Sequence, residues 1–453
     1  MVMNMIQATQ NKENETLKKV DLKKKTVVFV DNGLFVDFAR HCAKAFGKAY
    51  YYMGWQTYAV CSNGLMTGVG FDEMERIKNP LHLLQRVAKD DLLWVFLDVY
   101  YSDLQEHLLS LGCRVWGSRR GEEMELNRWE FKEHLKKLGL PVQHVEHIQG
   151  LEALKEYLKL AKDQYIKTSF VRGDFETFRH ELYKLTEPRL DDLAHVFGPL
   201  KRQYEFITED DIPNAVEVGY DGFTIDGRYP SHAMMAYEVK DVGMIGASMP
   251  YKSLAEPVRF VNEKLSETLK RYNYRGFLCT EIRYTKEKKP FLIDPCCRLG
   301  TPSNELLQAL FDEWPQTLWH GAVGEVWSPK PKAKFAVAAV IHCEYAVDNW
   351  WSIFYPKEIE EFVKLRFHCR VDGVDWIVPQ PTGLPSPGVI LGSGETLFEA
   401  VKQCKSHAKE VQGYQMEVTL DSIDEALETI QKGEKLGVHF ADELPTAEQL
   451  RRA

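Results

Sequence analysis

The segment Gly276-Phe-Leu-Cys-Thr-Glu-Ile-Arg-Tyr-Thr, followed after a short polar stretch by Pro290-Phe-Leu-Ile-Asp-Pro, constrains this chain more than any other. Both halves are apolar at strand length, and Lys286-Glu287-Lys288-Lys289 between them reads as a turn, so the whole is an expected antiparallel hairpin. With the turn centred between Glu287 and Lys288, Ile282 faces Ile293 and Tyr284 faces Phe291. Glu281 then lies across from Asp294, with Cβ atoms roughly 5 Å apart. Opposed carboxylates repel, so either a cation sits between them or Arg283 and Arg298 neutralise them. Mg2+ suits such a pair, because it commonly takes one or two carboxylates and completes its shell with water and phosphate oxygens. An ordinary hairpin with a salt bridge is the plainer explanation of the same letters.

At 453 residues the chain has room for two to four domains. A composition of 44% hydrophobic and 27% charged residues is that of a soluble globular protein, and a net charge of -9 argues against general nucleic-acid affinity. Anionic substrates therefore need a local basic pocket. Nine cysteines with no CxxC spacing read as reduced thiols of a cytoplasmic protein. The adjacent Cys296 and Cys297 do not make a zinc site, and no histidine is tied to them by spacing. Apolar runs such as Phe335 to Ile341 are strand-length, so no membrane span is expected. Residues 1–25 are polar and lysine-rich without an apolar stretch, and are expected to form a disordered tail.

Thr26-Val-Val-Phe-Val-Asp-Asn-Gly reads as a buried strand and turn, followed by a helix with Phe35, Phe38, Ala39, Cys42 and Phe46 on one face. Further strands are expected at Tyr58 to Ser62, Leu92 to Val99 and Cys113 to Trp116, with a capped helix from Ser102 ending at Gly112. This alternation predicts a mostly parallel sheet over 26–120. It carries neither a GxxxxGK loop nor a GxGxxG turn. Asn127 to Leu138 reads as a helix stopped by Gly139. A small α+β unit over about 141–210 has its clearest strand at Gln164 to Ser169, then a loop, Phe170 to Glu176, and a helix from about Thr177. Tyr204 to Pro213 is a strand breaking into an acidic hinge, and Val216 to Gly227 opens a second antiparallel sheet that includes the hairpin. The Pro-Lys-Pro-Lys stretch after Ser328 reads as a linker to a C-terminal unit over 329–440. That unit is rich in turns from Pro379 to Pro387 and has helices over Thr396 to Val411 and from Asp421, before a polar tail over 441–453.

Nucleotide chemistry needs cations for phosphates, an edge that reads the base, and acids for ribose and metal. Lys167, with Arg172 and Gly173 in the loop behind it, suits phosphate oxygens. Glu209, Asp210 and Glu217 flank the hinge, where adenine and ribose would be read. Glu281 and Asp294 supply the metal side, with Arg298 four residues further on. Lys240, on a probable strand edge within Tyr237-Glu-Val-Lys-Asp, suits an acidic substrate.

The order of these parts resembles the ATP-grasp superfamily over most of the chain. Asn127-Arg-Trp-Glu-Phe-Lys to Leu-Gly-Leu-Pro looks like the helix that opens the family's ATP-binding region, with Arg128 where a phosphate-binding lysine usually stands and Lys167 matching the second such lysine. Glu209 and Glu217 fall at the adenine-hinge and ribose positions. Ile293-Asp-Pro-Cys-Cys-Arg matches the closing metal motif, with Asp294 for the usual glutamate and Cys296 for the usual asparagine. Gly392-Ser-Gly-Glu-Thr-Leu-Phe-Glu-Ala-Val is similar to the C-terminal domain of the phosphoribosylamine–glycine ligases.

The resemblance implies a mixed α/β and α+β fold: an N-terminal parallel-sheet domain, a two-lobed ATP-binding region over 121–328 and a smaller C-terminal α+β domain. It also implies an ADP-forming ligase that uses ATP and Mg2+, with Mn2+ as an alternative, to join a small-molecule carboxylate to an amine through an acylphosphate. Arg298 and Lys240 are the expected catalytic residues. Arg128, Lys167, Arg172, Glu209, Asp210 and Glu217 are the expected nucleotide ligands, and Glu281 and Asp294 the metal ligands. A thiol in place of an amide oxygen is a poor Mg2+ ligand, which keeps open a nucleotide-binding protein that has lost turnover. A small-molecule kinase on the same fold is a further alternative.

Overall fold

The computed structural model describes residues 17–54, 66–170, 177–239, 242–379, 385–420 and 422–441, with 444, 446 and 449. The expected strand at Tyr58 to Ser62, most of the Phe170 to Glu176 loop with Arg172, Lys240 and the Asp421 cap lie outside the described residues.

The first layer is a parallel sheet of β1 (Thr26–Asp31), β2 (Lys48–Met53), β3 (Glu75–Arg76), β4 (Leu92–Phe96) and β5 (Arg114–Trp116), in the order β3-β2-β1-β4-β5. All of β1 is buried, as expected of an apolar run in a sheet covered on both faces. Asp31 ends β1 and starts the helix Val36–Ala43 by accepting from the Asn32 (2.7 Å) and Phe35 (2.9 Å) amides. The helix Ser102–Ser110 is capped from outside itself: both carboxylate oxygens of Glu122 accept amides there, from Tyr101 and Ser102, each at 3.2 Å. Residues 17–25 are not a loose tail. Leu22 is buried in the apolar core of this layer and the Val20 amide donates to Gln316 Oε1 at 3.0 Å, so one leucine and one amide bridge anchor the segment.

The second sheet is small and antiparallel: β6 (Val145–Gln149), β7 (Gln164–Thr168), β8 (Thr177–His180) and β9 (Glu205–Asp210), in the order β6-β9-β7-β8. The helices Leu151–Leu158 and Tyr183–Phe197 pack on it through Leu154, Leu158, Leu190 and Leu193. The helix expected from Thr177 starts at Tyr183, because Thr177–His180 extends instead to pair with β7, Lys167 facing Thr177.

The third sheet carries β10 (Val216–Ile225), β11 (His232–Val239), β12 (Gly243–Pro250), β13 (Arg275–Tyr284) and β14 (Pro290–Cys296). After a two-residue ladder of β15 (Phe311–Asp312) and β16 (Lys330–Pro331), the same sheet continues through β17 (Phe335–His342). Between β18 (Trp351–Phe354) and β22 (Gly388–Gly394) come β19 (Val363–Leu365), β20 (His368–Val371) and β21 (Val374–Ile377), and the large sheet runs β14-β13-β10-β11-β12-β17-β22-β19. The stretch expected as a linker after Ser328 thus leads into a strand of the sheet it was expected to leave, with Gly243 of β12 facing Ala339 of β17. The helix Leu397–Ala408 covers β22 and β17 and opens on a full capping box, Thr396 with Glu399.

The parallel and large sheets meet at Gly117 and Arg275, whose main chains bond, the Gly117 amide donating to the Arg275 carbonyl at 2.8 Å. A Cβ on Gly276 would lie 2.8 Å from the Gly117 carbonyl carbon, so glycine is required for this approach. Beside it Trp314 packs within 5.9 Å of Phe38, 6.1 Å of Phe223 and 5.8 Å of Phe277, measured between ring centroids. Trp314 is 1% exposed. Trp314→Ala is expected to cost about 3–5 kcal/mol of unfolding free energy; chemical denaturation checks this, and a loss under about 1 kcal/mol would show that the ring cluster does not join the layers.

Candidate active site

The β13–β14 hairpin places Glu281 opposite Asp294. Its inner pairs differ from the expected register. Ile282 faces Leu292, Arg283 faces Phe291 and Tyr284 faces Pro290, so Ile293 is an extra residue at a bulge beside Glu281. The loop is correspondingly tighter, with Lys288 at φ 58°.

The bulge has a chemical consequence. The Ile293 carbonyl, turned out of the ladder, accepts from Lys132 Nζ at 2.9 Å and from Lys167 Nζ at 3.2 Å. Lys132 comes from the helix Arg128–Lys137 and Lys167 from β7, so two elements outside the large sheet converge on one of its carbonyls. Lys167 also reaches Asp294 Oδ2 at 2.6 Å and Glu209 Oε2 at 3.1 Å. Arg128 Nη1 donates to Asp294 Oδ1 at 2.6 Å, and Lys132 pairs with Glu209 Oε1 at 2.8 Å. Gln143 Nε2 donates to Glu209 Oε2 at 2.8 Å. Three cations therefore surround two carboxylates, a local positive surplus inside an acidic protein.

All three cations are buried, at 5% exposure for Arg128, 2% for Lys132 and 3% for Lys167. Burial pushes the Lys167 ammonium toward its neutral form, but Asp294 and Glu209 outweigh it and hold the pKa above 10.5. At Lys132 burial wins over Glu209, helped by the neighbouring Lys167, and the pKa falls. Burial would raise Asp294; Lys167, Arg128 and Lys132 override it and hold the carboxyl at about 2. Glu209 is likewise lowered against its own burial, by Lys167 and Lys132.

Glu281 is the opposite case. Burial, reinforced by the charges of Glu217, Asp294 and Glu238, raises its carboxyl well above 4.5. These acids line a common cavity with Asp294, Arg128 and Arg298. A carboxylate that is costly to ionise in this setting fits a divalent cation as its missing partner, with Asp294 across the ladder as second ligand. Among the described residues no group of three acids, thiols or imidazoles is arranged around a metal, and a two-carboxylate site is what Mg2+ commonly uses.

The remaining expected residues fall in different places. Arg298 lines the cavity, its Nε 3.0 Å from Glu125 Oε1 and 3.7 Å from Asp98 Oδ1. Glu125 also accepts the Cys297 amide at 2.6 Å, which fixes the backbone before Arg298. Glu209 points into the cation cluster and not along the hinge. Asp210 is exposed and accepts from Gln164 Nε2 at 2.9 Å on the other side of β9. Glu217 lies directly across from Arg283 and pairs with it at 2.9 Å. The strand that carries Glu238 is no sheet edge, since β11 runs between β10 and β12. Lys132 and Glu125 escaped the sequence reading. Lys132 follows Arg128 by four residues, on the same helical face, and that spacing is the signal that finds it.

No protein-family model matches the sequence, and no curated protein matches it. Solved structures do. A phosphoribosylamine–glycine ligase from Thermotoga maritima superposes with a TM-score of 0.62 at 16% identity, over 87% of this chain and 99% of that one. The biotin carboxylase domain of the Hydrogenobacter thermophilus 2-oxoglutarate carboxylase, in complex with MgADP, ADP and bicarbonate, gives 0.62 at 11%, over 92% and 99%. An L-amino acid ligase from Bacillus licheniformis gives 0.56 at 16%, over 86% and 99%. This is the ATP-grasp fold. At these identities the likeness is one of architecture, and it holds for the parallel-sheet layer, the small antiparallel sheet and the large sheet together. In the ATP-grasp frame the cation cluster lies where the small and large sheets meet.

The charge pattern predicts a trade between stability and ion binding. Glu281 in the fold binds its proton more tightly than in the unfolded chain, so its contribution favours folding at low pH and erodes as pH rises above 4.5. Glu281→Gln removes that penalty, and the ligand-free variant is expected to melt roughly 2–4 °C higher at pH 8, with the gain vanishing below pH 4.5. Differential scanning calorimetry across pH checks this; a lower Tm at pH 8 would show that Glu281 is already compensated.

Proposed function

We propose that the chain is an ATP- and Mg2+-dependent ligase that joins a carboxylate to an amine with release of ADP and phosphate. The observation that carries this reading is the meeting of Arg128 and Lys167 on Asp294, with Lys132 on the neighbouring Ile293 carbonyl, beside Glu281, whose ionisation the surrounding acids oppose; Arg128, Asp294 and Glu281 line one cavity. The MgADP and bicarbonate bound by a structure of the same fold support it, as do ligases of that fold that act on small molecules.

In this reading Arg128 and Lys167 meet the terminal phosphate oxygens of ATP, which replace part of their present contact with Asp294. Arg128 presents a planar fork where a lysine would offer a point charge, and so takes two oxygens of one phosphate. Glu209, held by Gln143 and Lys132, keeps the Lys167 ammonium charged and aimed; it is a positioning residue and not a reader of adenine. Glu281 and Asp294 would hold Mg2+, which would supply charge neutralisation for the phosphates. Arg298, oriented by Glu125, faces the same cavity and stabilises charge on the phosphoryl group as it passes to the substrate carboxylate. The acylphosphate so formed is attacked by the amine, and phosphate leaves. Arg172 and Lys240 keep their proposed roles, in phosphate and acid-substrate binding. Positioning and charge do most of the work in phosphoryl transfer, which is why a site built from fixed ion pairs suits it. The general activity is that of a soluble enzyme on small molecules; among the described residues no helix is long and apolar enough to cross a membrane.

Incubation with Mg-ATP and pools of small carboxylic acids and amines, read as ADP release, tests the proposal. At least one acid–amine combination is expected to stimulate ADP formation and give an amide product, and Asp294→Asn or Lys167→Met to lower kcat by about 10²–10³-fold. ADP release without an amide would point to a kinase. No stimulation from any pool, or a wild-type rate in Asp294→Asn, would contradict it.

A further inference from the structure

Cys279 and Cys296 face each other directly across β13 and β14, two residues along from Glu281 and Asp294 on the same face of the hairpin. Cys279 is buried and its Sγ lies 3.9 Å from Ser303 Oγ, whereas Cys296 is half-buried; both line the cavity that holds the two carboxylates. Cys297, next in the chain, turns the other way into the apolar core. Directly opposed residues of an antiparallel pair have Cα atoms about 4.5 or 5.5 Å apart, and both values fall inside the roughly 4.4–6.8 Å range of disulfides. A cross-link therefore needs only side-chain rotation.

The geometry points to a reversible oxidation site at Cys296 and Cys279. A peroxide entering the cavity oxidises the Cys296 thiol to a sulfenic acid, and one molecule of water leaves with the peroxide's second oxygen. The Cys279 thiol then attacks the Cys296 sulfur; the sulfur–sulfur bond forms, the sulfenic hydroxyl departs with the Cys279 proton as a second water, and a two-electron oxidation is complete. A small thiol reverses it by exchange. The cross-link replaces two thiols in the cavity wall, two residues along from Glu281 and Asp294, and so weakens Mg-ATP binding; this consequence rests on the proposed function, while the oxidation site itself does not.

The test treats the full chain with hydrogen peroxide under native conditions, followed by alkylation, intact mass and peptide mapping. Expected is a mass lower by about 2 Da, a bridge between the Cys279 and Cys296 peptides that forms in wild type and in Cys297→Ser, and its absence from Cys296→Ser and Cys279→Ser. Dithiothreitol should remove it. Calorimetry with Mg-ATP on the same samples should show about a tenfold loss of affinity on oxidation, restored by dithiothreitol and absent in Cys296→Ser. A chain in which both thiols stay open to alkylation after unfolding, or in which Cys296 passes to sulfinic acid without a bridge, overturns the site. A bridge with unchanged affinity overturns its coupling to the nucleotide. If the bridge forms but the reduced chain binds no Mg-ATP at all, the proposed function fails and the oxidation site stands.

Discussion

Lys167 is the contact on which the arrangement of the two lobes turns. It leaves the small sheet at β7 and ends on three acceptors: Asp294 Oδ2 and the Ile293 carbonyl of the large sheet, and Glu209 of its own sheet. A buried ammonium needs its full set of partners, because an uncompensated charge in a protein interior costs several kcal/mol. That requirement holds β7 against β14. The bulge at Ile293 belongs to the same device. Without the extra residue the carbonyl would be spent in the ladder with β13, and each lysine would lose one of its acceptors.

The electrostatics divide the cavity and the buried cluster behind it into two halves. On one side Asp294 and Glu209 are held ionised by three cations. On the other, Glu281 sits among Glu217, Glu238 and Asp294, which oppose its ionisation. The first half is complete as it stands and can lend its surplus positive charge to phosphate oxygens. The second resists a further negative charge, which a bound proton relieves. In the proposed function a polyphosphate carrying a divalent ion would meet both halves. Buried ion pairs of this kind add little net stability. Their use is to fix geometry, and the apolar cluster around Trp314 supplies the adhesion between layers.

Much of this was readable in the letters of the chain. The parallel layer follows from apolar runs such as Val27 to Val30 alternating with amphipathic helices, and the position of Lys167 on a strand follows from its neighbours Tyr165 and Ile166. The opposition of Glu281 and Asp294 was placed correctly for a partly wrong reason. The loop is one residue shorter than its lysine-rich sequence suggested, and the bulge at Ile293 adds one residue back, so the two departures cancel at Glu281 and leave only the inner pairs shifted. Neither is encoded by a glycine, and a left-handed Lys288 gives no local sign of itself. The spacing from Arg128 put Lys132 on the same helical face, but the acceptors that give Lys132 and Glu125 their roles lie on other elements, which periodicity does not reveal. The inward turn of Glu209 was missed for the same reason: an acid near a proline-ended strand reads as a hinge residue until the lysines across from it are placed. The continuity of the large sheet into β17 is a long-range pairing, and prolines in Pro329 to Pro331 argued locally for a break that the fold does not make.

The central claim is that the cations around Asp294 and the acid pair of the hairpin act on one ligand. Isothermal titration calorimetry of ATP into the purified, reduced chain, with and without Mg2+, tests it most directly. The account predicts binding that requires Mg2+ and that is lost in Asp294→Asn while the fold persists by circular dichroism. Absence of any Mg2+-dependent binding of ATP to the folded wild-type chain would contradict it.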